Sequence, residues 1–232
     1  MEKKITKIIL SCVIIAVLIA GLVVLSSCAS GGTDGKDGNS GKKPQSARID
    51  RPVVEMTISD GTRDYVIEIL LYKDIAPITV NNFMKYAENG FYEGTAFHRV
   101  IKGLIMQGGQ FVCGENGYEG KENELAPIEG EFKNNKTTGK DYSYNVISHK
   151  TGVISMARST ENSATSGFFI MLGDNTSWDG DYAAFGQIID SEDVSALQDM
   201  CNAATLTTKL SAFPNATPVN PITITKVEIK GT

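Results

Sequence analysis

Arg99 sits where an arginine is hard to explain. The stretch FHRVIKGLIMQGGQF, residues 97–111, is apolar at Phe97, Val100, Ile101, Leu104, Ile105 and Phe111, as a buried strand would be. A guanidinium in such a run needs a partner or a way out to water, because an unpaired buried charge is costly. Its chemistry is that of a fixed planar set of donors, always charged, suited to polarising an acceptor. Gln107-Gly108-Gly109 interrupts the end of the same run.

The other reactive side chains are few. His98 and His149 are the only two histidines. That excludes most His-rich metal sites and leaves few candidates for a histidine base. His98 reads as a packing residue, and His149, before Lys150-Thr151-Gly152, as a surface turn residue. Asp179 and Asp181 could pair as carboxylates, but Trp178-Asp179-Gly180-Asp181 reads as turn chemistry. Cys113 and Cys201 have neither zinc nor CxxC spacing. They could form a disulfide in an exported chain; our reading is two free thiols. There is no G-x-S-x-G elbow, P-loop, H-E-x-x-H or Rossmann fingerprint after a strand. No metal or cofactor is implied. A net charge of -5 without a basic run in the body argues against nucleic acid as a partner.

The elements that must carry these residues are mostly strands. Residues 53–72 alternate around Asp60-Gly61 and predict a hairpin. Val80, Phe83, Met84 and Ala87 recur at helical spacing, with Thr79 placed to cap the start and Gly90 the end. Residues 112–145 are polar and glycine-bearing, mostly loop with short strands. Strands are predicted at 152–157, 167–172 and 182–189, a turn cluster at 174–181, and an alternating strand at 221–229. A second helix starts at Ser191, with Val194, Leu197 and Cys201 on one face. Many short strands with two helices imply an antiparallel barrel or sandwich. The 232 residues, 41% hydrophobic, suit one domain with a real core.

Residues 1–27 stand apart. Lys3, Lys4 and Lys7 precede an almost unbroken apolar run over 8–25, the layout of a signal segment. Leu25-Ser26-Ser27-Cys28 resembles a bacterial lipobox, which implies lipidation of Cys28 and an extracytoplasmic, lipid-anchored protein. The alternative is a plain transmembrane anchor, since the run is just long enough to span. Residues 28–50 follow as a Gly-, Ser-, Asp- and Lys-rich flexible tether, and 51–232 as the folded domain.

Three blocks are more specific. FHRVIKGLIMQGG, GVISMARSTENSATSGFFIML and WDGDYAAFGQI resemble, in order and spacing, the cyclophilin-type peptidyl-prolyl cis-trans isomerases. The resemblance covers about residues 53–230. It implies a mainly β fold, a closed eight-stranded antiparallel barrel capped by two α-helices, with the site on the outer face. It also implies a monomer that acts on proline-containing polypeptides. Arg99 then corresponds to the arginine that hydrogen-bonds the proline amide, and Gln107 to the glutamine that orients it. Leu104, Ile105, Phe169 and Trp178 correspond to the apolar walls of the proline pocket. Ala157 and Arg158 correspond to the stretch that pairs with the substrate chain, and Tyr182 to a position where some members have histidine.

The sequence departs from the family pattern at several of these places. Leu104 stands for a usual phenylalanine, Ile105 for methionine, Arg158 for asparagine and Gly167 for glutamine. These put affinity and sequence preference in question, and leave open a second reading, a proline-peptide-binding module with weak or no catalysis.

Overall fold

Asp60 and Gly61 turn the first hairpin as their types predict. Strands β1 (Val53–Ser59) and β2 (Asp64–Leu71) pair antiparallel from Val53 opposite Leu70 to Ser59 opposite Asp64. Asp60 Oδ1 accepts the backbone N–H of Thr62 and Arg63 at 2.8 and 2.9 Å, closing the turn. The structure is a computed structural model that describes residues 50–115, 117–122, 124–207 and 215–231. The expected signal segment, nearly all of the expected tether and Cys28 lie outside the described residues.

Helix α1 (Pro77–Glu88) opens with proline at its first turn, where the missing N–H is harmless. Its cap is not Thr79. The first residue outside is Ala76, which makes no side-chain cap. Instead the carboxylate of Glu131, far along the chain, accepts the backbone N–H of Ile78 and of Thr79 at 3.0 and 2.7 Å, and the Thr79 hydroxyl at 2.7 Å. A carboxylate on the N–H groups that the first turn leaves without a helical partner, at the positive end of the helix, is favourable. It also ties the long polar loop to the sheet's cover. Gly90, at φ 63°, ends the helix just past Asn89, as its position predicts.

Short strands follow: β3 (Thr95–Ala96), β4 (Arg99–Ile101), β5 (Ile105–Gly108), β6 (Phe111–Gly114) and β7 (Gly117–Gly120). After the loop come β8 (Val153–Met156), β9 (Phe168–Met171), a 3₁₀ turn (Thr176–Trp178), β10 (Ala184–Ile188) and helix α2 (Ser191–Ala203). A small ribbon of β11 (Leu206–Thr207) and β12 (Thr217–Pro218) precedes β13 (Thr223–Lys230). Asp190 caps α2, accepting from Glu192 N–H at 2.8 Å, and Val194, Leu197, Met200 and Cys201 form its buried face.

Eleven strands join one antiparallel sheet in the order β4-β5-β9-β8-β10-β2-β1-β13-β3-β6-β7. Only Phe97 and His98 separate β3 from β4 in the chain, yet the two stand far apart in this order. The sheet therefore curls strongly on itself. The resemblance implies eight strands; among the described residues this sheet is divided into eleven short ones.

The inside of the curl is the main core. Phe83 of α1 meets Tyr92, Phe168 and Phe185 with ring centroids 4.9, 5.6 and 5.3 Å apart. A second, smaller apolar cluster lies on the other face: Ile105, Val153, Phe169, Met171 and Ala184. Strand β9 is buried on both faces, since Phe168 and Ile170 enter the first cluster while Phe169 and Met171 enter the second. That is why Phe-Phe-Ile-Met reads as an unbroken apolar run. Cys113 is exposed and Cys201 buried, both free thiols.

Candidate active site

Residues facing each other across an antiparallel ladder share one face of the sheet. Arg99 faces Gln107, Gln107 faces Phe169, and Phe169 faces Ser155, a single row over β4, β5, β9 and β8. Phe169 belongs to the outer cluster, so Arg99 and Gln107 lie on the outer face too. Arg99 Nη1 donates to Gln107 Oε1 at 3.1 Å. The tight turn over residues 102–104 sets the register that brings this pair together. Arg99 is half-buried, and burial pulls its pKa down from the ordinary arginine value, with Tyr182 opposing. An arginine so placed still carries its charge.

The two glycines after Gln107 keep the row tight. A Cβ on Gly108 would come within 2.9 Å of the Phe97 ring. Gly109 has φ +86°, and a Cβ there would come within 2.8 Å of the Phe168 ring. Glycine stands at both places because rings of the main core and backbone oxygens approach the chain closely here.

Arg99, Ile105, Gln107 and Phe169 line one side and floor of a groove of about 200 Å³; Ala157, Arg158, Trp178 and Tyr182 line the rest. Phe169 contacts Trp178 and Tyr182 edge to face, with centroids 5.6 and 5.4 Å apart. Trp178 and Tyr182 are 5.7 Å from each other. Every site residue predicted within the domain is thus brought together except Leu104. That side chain packs half-buried against the outer cluster and does not line the groove. Among the described residues, no group of His, Cys, Asp and Glu is placed to hold a metal ion.

His149 corrects the sequence reading. It is fully buried, not a surface turn residue. Nε2 lies 3.1 Å from Ser155 Oγ and Nδ1 3.1 Å from Asp179 Oδ1. Its ring stacks on Phe169 and meets Trp178 and Tyr182 edge-on. It thus packs against the aromatic floor on the same outer face. Burial lowers its pKa, against the pull of Asp179. A local signal did exist: Ser155 is polar inside Val153-Ile154-Ser155-Met156, and a buried hydroxyl needs a partner. Asp179 therefore does more than turn the chain, since it also accepts the His149 backbone N–H at 2.7 Å. His98 packs as expected, with Phe111 4.6 Å away, and burial then the Arg99 charge lower its pKa to about 4.

Gly167 does not leave a hole. A Cβ built on it would meet the Gln110 side chain at 2.4 Å, so Gln110 fills that space.

The family model described as cyclophilin type peptidyl-prolyl cis-trans isomerase/CLD matches residues 53–229. The chain belongs to the cyclophilin family. A peptidyl-prolyl cis-trans isomerase of Acinetobacter baylyi is 36% identical over 184 residues, covering 77% of this chain and 85% of that protein. Peptidyl-prolyl cis-trans isomerase B of Escherichia coli is 36% identical over 137 residues, covering 55% and 74%. A crystal structure of a Cryptosporidium parvum cyclophilin type peptidyl-prolyl cis-trans isomerase superimposes with a TM-score of 0.57 at 22% identity, covering 78% of this chain and 99% of that one. At that identity it shows the fold, a curled antiparallel cyclophilin sheet with two helices.

Proposed function

We propose that this cyclophilin accelerates rotation about X-Pro peptide bonds by stabilising the twisted amide, with Arg99 as the acting group. The observation that carries this is Arg99 held by Gln107 in a groove floored by Phe169. Amide resonance sets a barrier of about 18–20 kcal/mol. Twisting breaks that resonance and leaves the prolyl nitrogen pyramidal, with a lone pair able to accept. A guanidinium beside it binds the twisted form better than the planar one, which is differential binding of a transition state. A rate gain of about 10⁵ corresponds to about 7 kcal/mol. No covalent intermediate and no cofactor enter this scheme.

Gln107 orients Arg99 and meets the substrate backbone. Ile105, Phe169, Trp178 and Tyr182 take the proline ring, with Leu104 packed against the outer cluster. Ala157 and Arg158 run beside the substrate chain. Residues 95–101 shut the curled sheet into a closed barrel, which keeps this outer face rigid. Cys28 carries a lipid that anchors the protein outside the cytoplasm, where it serves exported proline-containing polypeptides as a monomer.

Exchange spectroscopy on an Ala-Pro peptide tests the reaction directly. Catalysed exchange between cis and trans is expected. Binding of the peptide without faster exchange would overturn catalysis and leave a proline-peptide-binding module.

A further inference from the structure

Arg158 puts a second guanidinium in the groove and its surroundings fix it there. The Cζ atom lies 4.7 Å from the Phe132 ring centre and 4.9 Å from that of Tyr182. Nε and Nη2 both donate to the backbone oxygen of Asp181, at 2.9 and 2.6 Å. One edge of the planar group is therefore occupied. A guanidinium has five N–H donors, so the end formed by Nη1 and the second Nη2 hydrogen keeps a fork of donors. No carboxylate ion-pairs with Arg158 among the described residues. The Asp181 carboxylate accepts instead from Asn134 Nδ2 at 2.6 Å. The groove lining thus holds two arginines and no Asp or Glu, in a chain of net charge -5.

We propose that the groove selects X-Pro segments with a carboxylate flanking the X-Pro pair, and that Arg158 does the selecting. This rests on the reading that the groove takes X-Pro segments at all. A stacked, hydrogen-bonded guanidinium is already ordered, so little freedom is lost when a carboxylate docks on its free fork. A lysine in the same place on the substrate meets two like charges instead.

The test compares kcat/KM of the full chain on matched Ala-Pro peptides with Glu, Ala or Lys on either side of the dipeptide, at low and high salt. Glu should exceed Ala by about two- to fivefold and Lys should fall below it by a similar factor, the range of a partly solvated ion pair. High salt should narrow the spread. In Arg158→Asn the Glu-to-Lys ratio should approach one. Arg158→Lys, with charge but no fork, should give an intermediate ratio. Each ratio is internal to one protein, so a general loss of activity does not disturb it, and the salt response of the wild type needs no variant. Equal rates on Glu and Lys peptides would overturn the inference, as would a ratio unchanged in Arg158→Asn. Absence of catalysis on every peptide would instead strike the isomerase reading.

Discussion

The imidazole of His149 lies 22° from parallel to the Phe169 ring, with centroids 6.0 Å apart. One support of the groove's floor is thus polar, beside the aliphatic side chains of the outer cluster. His149→Ala removes the bonds to Ser155 and Asp179 together and leaves the Ser155 hydroxyl buried without a partner. Losses of this kind run to about 1–3 kcal/mol per orphaned group, so stability should fall by about 2–4 kcal/mol in urea unfolding. With the floor loosened, KM should rise more than kcat falls. Trp178 is the chain's one tryptophan, so its emission should shift in the variant. His149→Gln, with a donor and an acceptor, should recover part of both. Unchanged KM and emission in a folded His149→Ala would show that this side chain does not hold the floor.

Acid should weaken this fold through its two histidines. Burial lowers the pKa of His149 below 6.5, and that of His98 to about 4. The unfolded chain then binds more protons than the folded one between those values and 6.5. Stability is complete above pH 6.5 and drains away as pH falls toward the folded pKa values. His98 alone should account for about 3 kcal/mol by pH 4. Thermal unfolding from pH 8 to pH 4 measures the slope. His98→Gln, which cannot titrate, should flatten it; an equally steep slope would place the acid sensitivity elsewhere.

What was legible in the sequence was local. Alternation over 53–72, the helical stripe from Val80 to Ala87, and the blocks around Arg99, Phe169 and Trp178 each fix their own conformation and face. What stayed hidden depends on partners distant in sequence. Glu131 caps a helix more than fifty residues earlier, and no period in the loop announces it. His149 looks like any turn residue until β8 and the Trp178 turn close around it. Arg158 reads as a departure from a family pattern, and only the fold shows the Phe132 and Tyr182 rings that flank it.

Gly109 and Gly167 both lie against filled space, but substitutions there should differ. At Gly167 the obstacle is the far end of the Gln110 side chain, 2.4 Å from a Cβ position. That amide can swing aside, so Gly167→Ala should cost less than about 1 kcal/mol. At Gly109 the obstacles are the Phe168 ring and the Ser166 carbonyl oxygen, 2.8 and 2.9 Å away, and φ is +86°. Gly109→Ala should cost about 2–4 kcal/mol from left-handed strain and overpacking together. Denaturant midpoints of the two variants decide it. Equal losses would mean that Gln110 is as immovable as the core ring.

Arg99 gives the sharpest test of the site. It faces Gln107 across β4 and β5 and reaches the groove on the wet side of the sheet. Arg99→Ala should lower kcat/KM by one to three orders of magnitude, about 1.4–4 kcal/mol of transition-state stabilisation. Folding stability should change much less, because the side chain is only half-buried. Arg99→Lys should not restore the rate, since a point charge cannot reproduce a planar fork that bonds Gln107 and, in the proposed scheme, the prolyl nitrogen together. Gln107→Ala should fall between wild type and Arg99→Ala, because it removes one bond to the guanidinium and keeps the group itself. Phe169→Ala differs in kind: it removes the floor, so peptide binding and stability should both drop. The decisive comparison is kcat/KM against the urea midpoint for these variants. Full activity in a well-folded Arg99→Ala would end the assignment of this arginine to the twisting amide.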